Sequence, residues 1–544
     1  MRNGRGHSLE KILVHRRVSA VARIRLVVQV LMCMIAMDDV GLIRIGIEVK
    51  HFCRLMIDPD EGVVVICHAP MVARDSPDGD TGHHVLRTIQ ARAEPMDVRM
   101  SSSHRRLTAS IAALLLATAA FATNPLIMDQ FTADPTARVF EGKIYVYPSH
   151  DIRPPPDYKG RPNWFVMEDY HVFSSENLTD WKDHGVIVAQ TGVEWADPKA
   201  YAMWAPDCVF KDGKYYFYFP AMAKSGGFRI GVAVADTPYG PFKPLATYIE
   251  GVKGIDPGVL IDKDGSAYLY YSLNKIFVAK LKPNMTEIEG EPKVIDNLPT
   301  KGLLEGPFTF ERNGTYYLTY PHVENKIERL EYATSSSPMG PFKPAGVILD
   351  ESESGCWTVH HSILDYQGQW YLFYHDRDLS PAFDKNRSIR ADKLAFNDDG
   401  SIRKVTPTLR GVGLVDAKKE IQIDRYSAKS PDGVAISFLD EVNPHAGWKV
   451  AFSGSKSWVR FNEVDFGRGD QKSIAVRAKS DVKAVLEIHL DRQDGPLLGR
   501  VKVGNGTAWK VASTRAKKIP SGVHDLVVTQ AGAEPVEVDW VSFR

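Results

Sequence analysis

Five segments of the chain place a polar side chain just ahead of an apolar strand: Asp134 in "TADPTARVF", Asp207 in "MWAPDCVF", Asp256 in "GIDPGVLI", Glu305 in "LLEGPFTF" and His360 in "TVHHSILDY". Any one of them could open a turn, because Asp-Pro and Glu-Gly steps do so readily. Together they could do more. Carboxyl groups crowded into one pocket separate in proton affinity, since like charges raise the pKa of one member. A carboxyl that keeps its proton can give it to a departing oxygen, and one that stays ionised can deprotonate water. Those two tasks are what cleavage of a glycosidic bond requires, and they need no metal or cofactor.

For these residues to meet, the chain must bring five distant segments to one place. Downstream of each polar residue comes the same unit: "EGKIYVYPS" (141–149), "DGKYYFYFP" (212–220), "DGSAYLYYS" (264–272), "NGTYYLTYP" (313–321) and "QGQWYLFYH" (367–375). An acidic or amide residue before Gly, between two strand-like runs, predicts a β-hairpin. Recurrence about every fifty to seventy residues is the mark of a radial β-repeat, and five copies predict a five-bladed β-propeller over about 126–418. The first strand of each blade lines the central channel, so the five polar residues are expected to converge on one mouth of the axis.

The rest of the chain predicts further domains, as 544 residues exceed one ordinary core. After about Ala417 short alternating strands follow at regular spacing, "SWVRFNEVDFG", "SIAVRAKS" and "GVHDLVVTQ" among them, and predict a β-sandwich over 419–544. At the other end, "MSSSHRRLTASIAALLLATAAFATNP" from Met100 has the basic, apolar and small-residue order of a secretory signal peptide. This order implies translation from Met100, a mature chain from about Thr123, a wrongly extended start over 1–99, and a secreted or periplasmic protein. Lys and Arg number 67 against 67 Asp and Glu, which argues against a nucleic-acid partner bound through net charge. The apolar stretch Val18–Met37 is broken by Arg23 and Arg25 and makes a poor membrane anchor. Five cysteines lack any CxxC pair, and Cys208 and Cys356, the two in the mature part, either pair or lie buried.

The segments "ADP" (133–135), "WAPD" (204–207), "GIDPGVLIDKDGSAYLYY" (254–271), "EGPF" (305–308), "HHS" (360–362) and "WYLFYH" (370–375) resemble glycoside hydrolase family 43, five-bladed propeller enzymes acting on hemicellulose. The resemblance implies that Asp134 is the general base, Glu305 the general acid and Asp256 the residue that tunes the acid. It implies inversion of configuration at the sugar, with Arg387 holding sugar hydroxyls (Arg390 is its neighbouring rival). His360 falls where the family places a histidine near a central ion or water. Trp204 and Trp164 are candidate walls of the sugar pocket, and Asp207 is expected to pack the start of the second blade. The tail, through "LDRQDGPLLG", "GVHDL" and "DW", is similar to carbohydrate-binding module family 6. Trp448 and Trp509 are its nearest candidates for a sugar-clamping pair, Glu537 stands where that family has a binding asparagine, and Gln422 and Asp424 fall near its structural calcium site.

The activity implied is exo-acting β-xylosidase or α-L-arabinofuranosidase on plant cell-wall xylan or arabinan fragments. The insertion "DIRPPPDYKGRPNWFVMEDYHVF" (151–173) is suited to closing one end of the channel and so to an exo pocket. The alternatives are an endo-arabinanase or galactosidase of the same family, or a non-catalytic sugar-binding propeller. The presence of all three acids argues against the last.

Overall fold

The computed structural model describes residues 124–544 except 157 and 273, together with the backbone of three strands, Ile43–Ile45, Phe52–Asp58 and Gly62–His68, which form an antiparallel sheet of their own. Residues 100–122, which the sequence leads us to expect as a signal peptide, lie outside the described residues.

Five antiparallel sheets follow one another along the chain, each built in sequence order from the strand nearest the axis outward. Blade 1 comprises Ala133–Phe140, Lys143–Asp151, Met167–Ser175 and Lys182–Ala189. Blade 2 comprises Asp207–Lys211, Lys214–Met222, Phe228–Ala235 and Lys243–Tyr248. Blade 3 runs Ile255–Ile261, Ala267–Ser272, Ile276–Leu281 and Ile288–Val294. Blade 4 runs Phe308–Arg312, Thr315–Val323, Glu328–Ser335 and Lys343–Leu349. Blade 5 has three strands, His361–Tyr366, Gln369–Asp376 and Ser388–Leu394.

The first hairpin of every blade sits at the repeated Gly. Four of these turns have positive φ at both central residues, Glu141-Gly142, Asp212-Gly213, Asn313-Gly314 and Gln367-Gly368. That is the two-residue turn whose twist matches its strands. Blade 3 differs: Ile261 pairs with Ala267 across a longer loop, and within it only Gly265 has positive φ.

Each inner strand touches that of the next blade, and the inner strand of blade 5 packs on that of blade 1, so the ring closes. The seam is sealed by the segment before blade 1, which runs beside Ser388–Leu394. Leu126 N–H donates to Ile389 O at 2.8 Å, Thr132 N–H to Arg387 O at 3.0 Å, and Ala391 N–H to Asn124 Oδ1 at 2.9 Å. Large aromatic rings fill the blades. Tyr147, Phe217, Tyr270, Tyr320 and Phe373 are fully buried between neighbouring sheets.

The C-terminal part is a two-sheet sandwich. One sheet orders Val415–Asp416, Trp458–Asp465, Val523–Gln530, Ala484–Leu490 and Leu497–Val503; the other orders Val434–Phe438, Trp448–Phe452, Val536–Phe543, Ser473–Ser480 and Gly506–Arg515. Its core, including Phe452, Phe461, Val476, Ile488, Val528 and Phe543, is separate from those of the blades. The sandwich grips the sealed seam: His445 Nδ1 lies 2.8 Å from Met128 O, Arg425 donates to Asn124 O, and Lys419 pairs with Asp180 at 2.7 Å.

Candidate active site

The spokes do not all point alike, and the backbone explains why. Asp134 and Asp256 are each the second residue of an inner strand, each with positive φ (47° and 55°), and each within a register shift of the first hairpin. A bulge of this kind re-aims a side chain relative to a regular strand. Asp207 instead pairs regularly with Tyr218, and its carboxylate is wholly engaged between blades. It accepts from Arg138 Nε at 3.0 Å and Nη2 at 2.6 Å, from Val259 N–H at 2.6 Å and from Cys208 N–H at 2.7 Å. Asp207 thus packs the start of the second blade, as expected, and ties blades 1, 2 and 3 together; the broader expectation that all five polar residues share the channel mouth does not extend to it.

Glu305 arrives on a loop whose next residue has to be glycine. Gly306 has φ +55°, and a Cβ there would stand 2.9 Å from Pro321 and 3.0 Å from His360 Nδ1. Its N–H donates to Asp256 Oδ2 at 3.0 Å, which fixes the acid-bearing loop of blade 4 to blade 3. Ser272 Oγ donates to the same oxygen at 3.0 Å.

Asp134, 5% exposed, has a different neighbourhood. Arg387 Nη1 donates to its Oδ1 at 2.8 Å and Nη2 to its Oδ2 at 3.2 Å, Ser149 Oγ donates to Oδ2, and His375 Nδ1 accepts from its backbone N–H at 3.0 Å. Burial alone would push this carboxyl up. Arg387, with smaller help from His375, His360 and Ser149, holds it down at about 2. Arg387 is itself locked by Asp151, through Nε to Oδ2 and Nη2 to Oδ1, both at 2.9 Å. Its rival Arg390 is turned elsewhere, to Asp378 and Asp376.

On the other blades of the hub the carboxyls bind protons more tightly. Burial, then Glu305 and Asp134, raises Asp256 well above an ordinary carboxyl, against the pull of Gly306 N–H and Ser272. Burial and Glu328 raise Glu305 well above its usual range, with Asp134 adding to the effect and Arg387 opposing it. Glu305 stays partly exposed, whereas Asp256 and Glu328 are buried. One carboxyl, Asp134, has its proton affinity lowered, and Asp256 and Glu305 on other blades have theirs raised.

His360 is also partly exposed, and loss of hydration lowers its pKa to about 4, so it is neutral beside Asp134. Calcium takes six to eight oxygen ligands. His360 supplies one nitrogen, and the nearby Asp134 oxygens are occupied by Arg387 and Ser149, so these residues do not make a protein-built calcium cage. Among the described residues the His150, Asp169 and His171 group is the one with metal-ligand spacing, and it lies on blade 1 with both rings already hydrogen-bonded to Asp169 and Asp183.

Trp164 and Trp204 join a wall that also contains Phe165 and Trp357. Trp164 lies 5.2 Å from Phe165 and 6.5 Å from Trp357, and Phe165 lies 6.3 Å from Trp204. Arg387 sits over Phe165 at 4.6 Å, which connects the wall to the base side of the hub. Trp164 and Phe165 come from the 151–173 insertion. Sequence reasoning missed Asp151, Phe165, Glu328, Trp357 and His375. Of these, His375 had a visible signal as the last residue of the repeated unit "QGQWYLFYH", and Asp151 and Phe165 fall within the 151–173 insertion.

In the sandwich the proposed pair of tryptophans does not form a clamp. Strand alternation puts Trp448 on the side of the core residues Val450 and Phe452, covered by Arg425 at 4.1 Å and stacked on Phe438 at 5.4 Å. Trp509 lies on the opposite face, with Arg477 and Lys479 over its ring at 5.3 and 5.2 Å. Glu537 bridges Lys449 at 3.1 Å and Lys479 at 2.8 Å. Cys208 and Cys356 are free and buried, not paired.

The chain is similar to known proteins in both of its parts. The family model described as glycosyl hydrolases family 43 matches residues 122–402, and that of carbohydrate binding module (family 6) matches 428–544. A xylosidase/arabinosidase of Humicola insolens is 38% identical over 327 residues, which is 51% of this chain and 98% of that protein. An arabinoxylan arabinofuranohydrolase of Bacillus subtilis (strain 168) is 30% identical over 486 residues, 75% of this chain and 89% of that protein. A solved β-xylosidase/α-arabinofuranosidase from a compost microbial metagenome is 36% identical, covers 53% of this chain and 98% of its own, and has a TM-score of 0.47. The chain belongs to glycosyl hydrolases family 43 and is a glycoside hydrolase with a family 6 carbohydrate-binding module behind its propeller.

Proposed function

We propose that the chain is an inverting exo-glycosidase that releases single pentoses, β-xylosyl or α-L-arabinofuranosyl, from xylan or arabinan fragments. The observation that carries this reading is the separation of proton affinity across the hub: Asp134 is held at about 2 by Arg387, while Glu305 is raised well above its usual range. In a single displacement, Asp134 accepts a proton from water as the water oxygen bonds to the anomeric carbon. Glu305 gives its proton to the glycosidic oxygen as that bond breaks. Asp256 fixes the Glu305 loop through Gly306 N–H, so it positions the acid and stands away from the water.

The pentose reading rests on relatives named xylosidase/arabinosidase or β-xylosidase, such as those of Humicola insolens and Xylanibacter ruminicola. The exo reading rests on the insertion that brings Trp164 and Phe165 to the wall near Arg387. A specific observation favours one second reading: the Bacillus subtilis relative, which is aligned over 75% of this chain, is an arabinoxylan arabinofuranohydrolase. On that reading the sugar removed is an arabinofuranosyl branch of a xylan chain. The leader-like order at 100–122 supports export, and the free Oδ1 of buried Asp424 supports a calcium ligand in the module.

Aryl β-xyloside, aryl α-arabinofuranoside, xylobiose and arabinoxylan, tested with wild type and Glu305→Gln, decide between these readings. Release of xylose from xylobiose supports the first reading, and release of arabinose from arabinoxylan without cleavage of xylobiose supports the second. No hydrolysis of any of the four by the folded wild type would overturn both.

A further inference from the structure

The acid side of the hub contains a carboxyl that no repeat announces. Glu328 opens the third strand of blade 4 and is 1% exposed. Its backbone N–H donates to Trp357 O at 3.1 Å, and its Oε2 accepts from Val359 N–H at 2.8 Å. Its Oε1 is buried with no hydrogen-bond donor, and its carboxyl lies within hydrogen-bonding reach of that of Glu305. A buried acceptor without a donor is costly, because it gives up water and gains nothing in return. A proton on Glu305 removes that cost.

Resting on the acid role given to Glu305, we propose that Glu328 is a positioning residue whose carboxyl shares one proton with Glu305 and so keeps the acid loaded and aimed between turnovers. Two facing carboxyls that share a proton resist losing it, because the doubly ionised pair is repulsive. Most of the surrounding acids act in the same sense. Asp134 faces both carboxyls and Asp256 faces Glu328, and these acids raise proton affinity; Arg387 opposes them at Glu305 and Val359 N–H opposes them at Glu328. Burial sets Glu328 itself at about 7. When Glu305 has protonated the leaving oxygen, the pair is left with two negative charges and regains its proton from solvent before the next cycle.

The same short segment serves both sides of the reaction. Trp357 and Val359 hold Glu328, while Thr358 between them lies 3.0 Å from His375 Nε2 and 3.4 Å from Arg387 Nη1. Acid and base are thus referred to three consecutive residues of one loop.

The test is the pH dependence of kcat/KM for Glu328→Gln, and for Glu328→Met, of similar volume, as a second variant in case the first does not fold. Removing the neighbouring charge lowers the proton affinity of Glu305, so the alkaline limb on xylobiose (or on arabinoxylan, if that is the substrate) moves to lower pH. The expected shift is about one pH unit or more, equal to a tenfold loss above the limb. Hydrolysis of a dinitrophenyl glycoside, whose leaving group needs little proton help, stays within about threefold. An unmoved limb in a folded variant, or equal losses on both substrates, overturns the positioning role. Glu305→Gln separates this from the underlying reading. If it keeps full turnover of the poor leaving group, the acid assignment itself fails. If it loses that turnover while the Glu328 variants keep the limb in place, only the inference about Glu328 fails.

Discussion

The propeller hub and the outer face of the sandwich both gather charged side chains around tryptophan, and they do opposite things with them. On the sandwich every acid named has a cation: Glu537 lies between Lys449 and Lys479, and Asp539 pairs with Arg477. In the hub the charges do not cancel. Arg387 is bonded to Asp134 and Asp151 and acts on Glu305, while Asp256 and Glu328 are surrounded mainly by other acids. Acids that each have a cation are satisfied and inert. An unbalanced, dehydrated set has to divide its few protons unevenly, and that unevenness produces an acid and a base.

The contrast can be broken most severely at the hub. Asp134→Asn and Glu305→Gln should each lower kcat on a disaccharide by at least about a hundredfold with the fold intact, the usual scale of an acid or base contribution. Near-wild-type turnover in either folded variant would remove that residue from the pair. Arg387→Lys should cost less, about tenfold, and should carry a pH signature. Asp134 is ionised down to about 2 because of Arg387. A lysine cannot reproduce the two-pronged contact, so the Asp134 pKa rises and the acid limb of kcat/KM moves to higher pH. An acid limb that stays in place would show that Arg387 does not set the charge on Asp134.

Asp207 sharpens the comparison from the other direction, since it is a buried hub-side acid whose charge is matched. Asp207→Ala should lower stability by about 3 kcal/mol, the scale of breaking a buried pair, as read by denaturant unfolding. Activity per folded molecule should remain within about twofold. The smallest effects belong to the sandwich face. Glu537→Gln and Trp509→Ala should leave kcat on aryl glycosides within about twofold, and a larger drop would mean that this face reaches the catalytic cycle.

The sequence made the periodic features readable and left the contacts between distant strands hidden. The Gly of each first hairpin and the apolar strand after it announced five blades, because a two-residue turn requires positive φ and the pattern repeats. Asp134, Asp256 and Glu305 were visible because they recur at matching positions within that repeat. Asp207 recurs too, yet its strand lacks the bulge that re-aims the other two aspartates, and bulges leave no clear mark in one sequence. Glu328 and Asp151 sit at strand ends, where an acid is ordinarily solvated, and only the closed ring turns them inward. The tryptophans of the sandwich were misread because their residue type was visible while the strand face each occupies, and the cations that cover them, depend on pairing across the sheet.

The arrangement of one carboxyl with lowered and one with raised proton affinity on different blades is tested most directly by the configuration of the first sugar released. Proton NMR of an aryl glycoside digest, followed before mutarotation, should show the anomer opposite to that of the substrate, as a single displacement by water at Asp134 requires. Retained configuration, or a glycosyl group trapped on Asp134, would contradict the account and would require a nucleophile where the hub now places a base.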